Sequence, residues 1–251
     1  MSRLTRIPSN SDLIALWERG TSEHPVDRAL MLLAACSPAE AQDDLARLSI
    51  GARDARLLEI YERLFGSSLD AFAHCPACNE PLEYSLSTRD LAASASTPTD
   101  PPPLTLDDGR ISLRLRLPDS LDLRAVSTCT EPALAAKMLT ERCIVEANSD
   151  GQPVSPADLP PNVTESISSA LAAADPGAEM LIDLNCAVCT HAWQVTLDIE
   201  RFLWSKISAT AKRLLRDVHA LASAYGWREP DILALSTVRR QTYMEMAWPT
   251  F

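Results

Sequence analysis

Two C-x-x-C pairs, Cys75-Pro-Ala-Cys78 and Cys186-Ala-Val-Cys189, are the residues of this chain best suited to chemistry. Two thiolates on one tight turn converge on a single point. Two such turns supply the four sulfurs of a tetrahedral Zn²⁺ site. The chain has 7 Cys. An odd count with no visible signal peptide argues against a disulfide framework. Cys36, Cys129 and Cys143 stand alone in apolar helical contexts, where a thiol reads as a small buried hydrophobe.

The pairs match beyond their cysteines. Alternate positions before Cys75 are Ala73, Ala71 and Leu69; before Cys186 they are Leu184, Ile182 and Met180. Matching positions downstream are Leu82, Tyr84 and Leu86 in one case and Trp193, Val195 and Leu197 in the other. Each pair is therefore expected at the tip of a hairpin, the two hairpins being copies of one unit. A lone hairpin is marginal. One structural Zn²⁺ on Cys75, Cys78, Cys186 and Cys189 would join the two into a split zinc ribbon. The 107 residues between Cys78 and Cys186 are then an insertion.

Other readings of the pairs stay open. A redox pair of thioredoxin type sits between a strand and a helix N-terminus, which lowers the first thiol's pKa; here strand patterns flank both sides. Unmetallated thiols are a third reading. His74 and His191 adjoin the pairs as exposed knuckle residues, donors to sulfur, or ligands.

The elements around the hairpins follow from pattern and capping signals. Residues 1–66 read as an N-terminal helical region. Ser9 to Ser11 offers caps ahead of Leu13–Trp17, and Gly20 is the stop. Pro25 sits at a first turn. Ser37-Pro38 with Glu40 resembles a capping box. A last helix runs from about Gly51 to Phe65, with Gly66 as its stop. The first knuckle hairpin is assigned to 67–91. A Pro-rich linker unable to build regular structure follows at 92–103. A hairpin-plus-helices subdomain is assigned to 104–177, with Asp108-Gly109 as the hairpin turn and helices near 121–127, 132–146 and 163–174. The second knuckle hairpin takes 178–199. A long helix and two short ones fill 200–251. Ile207, Ala211, Leu214, Val218, Leu221 and Tyr225 keep an a/d spacing, for packing on the chain's own helices or on a partner. Tyr225, Trp227, Tyr243, Trp248 and Phe251 with Met244 and Met246 make an adhesive C-terminal end, a core layer or a docking face. The fold class expected is α+β: helical ends around a split zinc ribbon of two C-x-x-C hairpins, with an inserted α/β subdomain.

Composition narrows the function. The 251 residues carry 34 Asp/Glu against 23 Lys/Arg, a net charge of −11. That balance opposes a sequence-independent hold on nucleic acid. Hydrophobic residues at 46% exclude a disordered chain. No run approaches the ~20 apolar residues of a membrane span, and Met1–Pro8 lacks an apolar signal region. A soluble cytoplasmic protein is expected. Only 7 Gly occur, and no G-x-G-x-x-G, P-loop or G-x-S-x-G is present. No H-E-x-x-H stands among the four His. No enzyme is expected.

The chain resembles the T-even phage baseplate protein family, as found in contractile-tail and extracellular contractile injection gene sets. The resemblance lies in Leu57–Phe65 before the first knuckle, the strand-to-helix junction Leu115-Arg-Leu-Pro-Asp-Ser-Leu-Asp-Leu123, and the C-terminus. There, Leu215–Trp227, Asp231-Ile-Leu-Ala-Leu235 and Arg239-Arg240-Gln-Thr-Tyr243 resemble the ending of baseplate and tail-assembly proteins. The resemblance implies a structural component or assembly factor, possessing no catalytic residues, within a contractile phage-tail-like particle. Its partners would be other baseplate or tail proteins, with Tyr225, Trp227, Arg239, Arg240 and Tyr243 as the partner-binding residues. Two other functions compete. One is a zinc-ribbon adaptor for nucleic acid or protein, with Arg110, Arg114 and Arg116 on one strand. The other is a thiol oxidoreductase using Cys75 and Cys78.

Overall fold

The structure, a computed structural model, describes residues 4–94, 104–107 and 109–247. In chain order it holds α1 (Asn10–Gly20), α2 (Pro25–Cys36), α3 (Gln42–Ala46), α4 (Ile50–Phe65), β1 (Ser68–His74), β2 (Pro81–Ser87) and α5 (Thr88–Ser94). Then come β3 (Leu104–Asp107), β4 (Ile111–Leu115), α6 (Ser120–Val126), α7 (Pro132–Cys143), β5 (Ile144–Ser149), β6 (Gln152–Pro153) and α8 (Pro161–Ala174). β7 (Leu181–Asn185), β8 (Ala192–Thr196), α9 (Ile199–Tyr225), α10 (Glu229–Leu233) and α11 (Thr237–Ala247) complete it. The fold is mixed α+β with small antiparallel sheets. The chain divides into two compact units, 1–38 with 200–251, and 39–199. Asp108, Trp248, Phe251 and residues 95–103 of the Pro-rich segment lie outside the described residues.

The first unit is helical. Ser9 caps α1 in a reciprocal box with Asp12, and Pro25 opens α2. Ile14, Ala211, Leu214 and Leu233 form a buried cluster, flanked by Trp17, Leu215 and Val218. The a/d seam of α9 is thus taken up by the unit's own core, with Tyr225 at its end 39% exposed. Gly20 does more than end α1. A Cβ there would meet the Trp204 ring and stand 2.7 Å from the Met31 methyl. Arg28 stacks over the same ring at 4.8 Å and donates from Nε to the Gly20 carbonyl at 2.8 Å.

The second unit is built along α4. Leu57, Leu58, Ile60 and Tyr61 are buried along it, each apolar side chain contributing about 1.5–3 kcal/mol. Gly66, at φ 91°, ends it in the left-handed region that suits glycine. β1 follows directly and pairs with β2. Tyr61 donates to the Ser68 carbonyl at 2.8 Å, and Thr88 Oγ1 donates to Glu62 at 2.9 Å. Both ends of the first hairpin are therefore tied to the C-terminal turns of α4. At the other end of α4, the Gly51 N–H donates to the buried Asp175 carboxylate at 2.9 Å, just before the second hairpin. A carboxylate suits the positive end of a helix.

The insertion is a four-stranded antiparallel sheet in the order β3-β4-β5-β6. Val163 and Ile167 of α8 pack on Leu113, Leu115 and Ala147 of the sheet. Arg116 grips Asp122 with two bonds of 2.6 and 2.9 Å, and Arg142 adds a third at 2.8 Å. Asp122 is fully buried and boxes reciprocally with Asp119 at the start of α6. Burial acts to raise its pKa, but the Arg116 hydrogen bonds, the Asp119 N–H and the arginine charges together lower it. The Ile50 N–H donates to the Pro118 carbonyl at 3.2 Å. The Leu115–Leu123 junction therefore joins strand, α6, α7 and the start of α4.

Several expectations are corrected. Ser37-Pro38 starts no helix: the Ser37 N–H closes α2 on the Leu33 carbonyl, and Glu40 is taken by Arg56 at 3.0 Å. α3 begins later, at Gln42, without a side-chain cap. The segment expected to be irregular from residue 92 begins as the last turn of α5, since Ala is the best helix former. The helix expected to 146 ends at Cys143, because Ile144–Ser149 pairs with β4 instead. Cys36 and Cys143 are buried, but Cys129 is half-exposed in a turn, where its Sγ lies 3.4 Å from the Glu131 carbonyl.

Candidate metal centre

The two hairpins hold the register that their alternation implies. Leu69 faces Leu86, Ala71 faces Tyr84 and Ala73 faces Leu82; Ile182 faces Val195 and Leu184 faces Trp193. The Leu197 N–H donates to the Met180 carbonyl at 2.8 Å, extending the second ladder.

Their tips share one backbone geometry. The Cys75 N–H donates to Glu80 and the Cys186 N–H to His191, both at 2.9 Å. The Asn79 N–H returns to the Cys75 carbonyl at 2.8 Å, and the Thr190 N–H to the Cys186 carbonyl at 3.0 Å. Asn79 and Thr190, each one residue past its second cysteine, stand at φ 61° and 60°. Asn tolerates this region; a β-branched Thr there is strained. The knuckle shape is thus held even where the residue opposes it.

The four cysteines come together. Their Sγ atoms all lie within 4.8 Å of one another. The close pairs cross between hairpins: Cys75 with Cys189 and Cys78 with Cys186, each at 3.6 Å. The first cysteine of each knuckle therefore meets the second of the other, as a local two-fold arrangement requires. Burial agrees, with Cys75 and Cys186 buried and Cys78 and Cys189 exposed. A disulfide needs about 2.05 Å, and all four are free thiols. A tetrahedral ion with Zn–S of ~2.3 Å spaces its sulfurs about 3.8 Å apart. The cluster has the dimensions and the donor set of a metal site.

The electrostatics differ from thiol to thiol. Peptide N–H groups of Glu80 and His191 point at Cys78 and Cys189 and pull their thiols down, yet Cys189 ends above its ordinary value through desolvation and its hydrogen bonds with Cys75 and Cys186. Cys186 falls to about 7, held first by the N–H groups of Cys189 and Val188. At Cys78 the Glu80 N–H pulls down, but the hydrogen bond with Cys189, desolvation and the hydrogen bonds with Cys186 and Cys75 outweigh it, and the thiol rises to about 12. The thiols of Cys78 and Cys189 are thus pushed up while that of Cys186 is pulled down. A bound divalent ion would take the sulfurs as thiolates and release their protons.

The remaining site expectations fall elsewhere. His74 and His191 are exposed; His74 Nδ1 lies 3.3 Å from the Asn79 carbonyl, and His191 stacks on Trp193. Neither joins the four-cysteine group that could hold a metal among the described residues. Tyr225, Trp227 and Tyr243 form one aromatic cluster, the first two stacked at 4.8 Å and Tyr243 edge-on to Trp227 at 4.8 Å. Arg239 is exposed, whereas Arg240 is only 3% exposed and pairs with Asp217 at 2.9 Å. Arg110, Arg114 and Arg116 pair with Asp150, Glu146 and Asp122. The residues that alternation alone did not reveal are Asn79 and Thr190; their matching position after each second cysteine was the available signal.

A family model described as T4 bacteriophage base plate protein matches residues 11–204. The matched stretch holds both knuckles and the whole insertion. Residues 205–251, with the Leu215–Tyr243 string, lie outside it. No curated protein and no solved structure matches the chain.

Proposed function

The chain belongs to the T4 bacteriophage base plate protein family, and on that premise we propose that it is a non-enzymatic structural component or assembly factor of the baseplate of a contractile phage-tail-like particle. The family match over 11–204 carries this reading. One structural Zn²⁺ on Cys75, Cys78, Cys186 and Cys189 braces it. The sulfur-only donor set supports zinc, since a catalytic site keeps a position open for water or substrate. The metal would close the insertion at its base and hold two marginal hairpins as one ribbon.

Its partners are other baseplate or tail proteins. The aromatic cluster of Tyr225, Trp227 and Tyr243, with Arg239 beside it in sequence, is the contact region, because Trp, Tyr and Arg dominate interface energetics. Arg240 supports that region from within through Asp217. The protein acts in the cytoplasm or as part of the particle; no helix among the described residues is long and apolar enough to cross a membrane.

The test is to capture tagged protein from cells that make the particle and to analyse purified particles by mass spectrometry. Co-purifying tail or baseplate proteins are expected. Their absence from both samples overturns the reading.

A further inference from the structure

Charge is divided unevenly between the two units. The helical unit, 1–38 with 200–251, has 12 Lys/Arg and 9 Asp/Glu, a net of +3. The unit 39–199 has 11 and 25, a net of −14. The positive excess is concentrated on α9. Between Arg201 and Trp227 the sequence holds five Lys/Arg and one acid, Asp217, which is already paired with Arg240. Lys212, Arg213, Arg216 and His219 are exposed and make no ion pair with a described residue. Lys212, Arg216 and His219 sit at helical spacing on the side away from buried Ala211, Leu214 and Leu221. Surface helices ordinarily intersperse both signs; this face has one.

A matching acceptor stands on the outer face of the first hairpin. Asp70, Phe72, Glu83 and Ser85 line a groove of about 530 Å³ there. Phe72 is 55% exposed, and Glu83 lies directly across the ladder from it. The Asp70 carboxylate is held in place by the Ser85 hydroxyl at 2.7 Å. An exposed aromatic face flanked by carboxylates suits a guanidinium, which stacks and ion-pairs at once.

We propose that the chain self-associates head to tail, the α9 face of Lys212, Arg213 and Arg216 docking on the Asp70–Phe72–Glu83 groove of a second copy. The surface and its mirror differ, so each copy keeps one free end after pairing. Nucleic acid is the less suitable occupant: the cations span few turns, and no aromatic side chain interleaves with them. Lys212, Arg213 and Arg216 lie outside the family match, and the inference does not depend on the baseplate role.

Sedimentation velocity on the full chain tests it. At about 0.01 M salt, where charges act over ~30 Å, oligomers are expected, and at about 1 M, where they act over ~3 Å, monomers. K212E/R213E/R216E and D70K/E83K should each weaken association at least ~10-fold. Mixed together they should associate again, since each keeps the half that the other lacks. Circular dichroism checks that both variants fold. Monomers at every salt and at concentrations up to about 0.1 mM overturn the proposal. So does association that survives either reversal, or a mixture that stays monomeric. Retention of DNA by the unaltered chain without self-association assigns the face to nucleic acid instead.

Discussion

The Sγ atoms of Cys75 and Cys189 lie 3.6 Å apart, although 114 positions separate the two residues. Cys78 and Cys186 repeat the relationship at the same distance. No pair within a single knuckle could fasten the insertion at its base; cross-pairing through one ion would.

Loss of one ligand should therefore act on the whole second unit. Cys78→Ser or Cys189→Ser should release the metal and destabilise the protein by about 3 kcal/mol or more, since loss of a structural metal belongs among the largest single-residue effects. Thermal unfolding and metal analysis on the same samples check this. Cys129→Ser, at a half-exposed turn, should change neither.

Asp122 gives a pH signature. Its folded-state pKa lies below the ordinary Asp value. The folded state thus binds fewer protons than the unfolded chain across that interval, and stability is fully present above the ordinary Asp range. It is lost as pH falls through that range towards the folded value. Asp122→Asn should cost about 1–3 kcal/mol at neutral pH, because Arg116 and Arg142 are partly exposed and regain water. Denaturant unfolding from neutral to acid pH should show a shallower loss in the variant.

Gly20→Ala tests the packing of the helical unit. The added methyl would enter the space of Trp204 and Met31. Overpacking of this kind costs about 1–3 kcal/mol, read as a lower unfolding midpoint.

Arg239 and Arg240 should separate. Arg240→Ala leaves Asp217 without its buried partner, so a loss of about 2–4 kcal/mol and faster amide exchange in α11 are expected. Arg239→Ala should leave stability within about 0.5 kcal/mol while weakening capture of particle proteins.

The hairpins were legible because alternation and the C-x-x-C turn act over neighbouring residues. Elements set by distant pairing were not. Ile144–Ser149 follows a helical pattern without a break in sequence, and only the ladder with β4 makes it a strand. Ser37-Pro38-Ala-Glu40 satisfies a local capping rule, yet Arg56, sixteen positions on, takes the glutamate. Gly20 was readable as a stop; its close approach to Trp204 depends on a helix almost two hundred residues away. The shared backbone of the two knuckles was half legible: Asn79 suits its positive φ, and Thr190 conceals it.

X-ray absorption at the zinc edge of the purified, full-length protein is the most direct measurement. About one zinc per chain is expected, surrounded by four sulfurs at ~2.3 Å and no nitrogen or oxygen. A well-folded protein without metal, or a zinc with fewer than four sulfurs, contradicts the shared Cys₄ site.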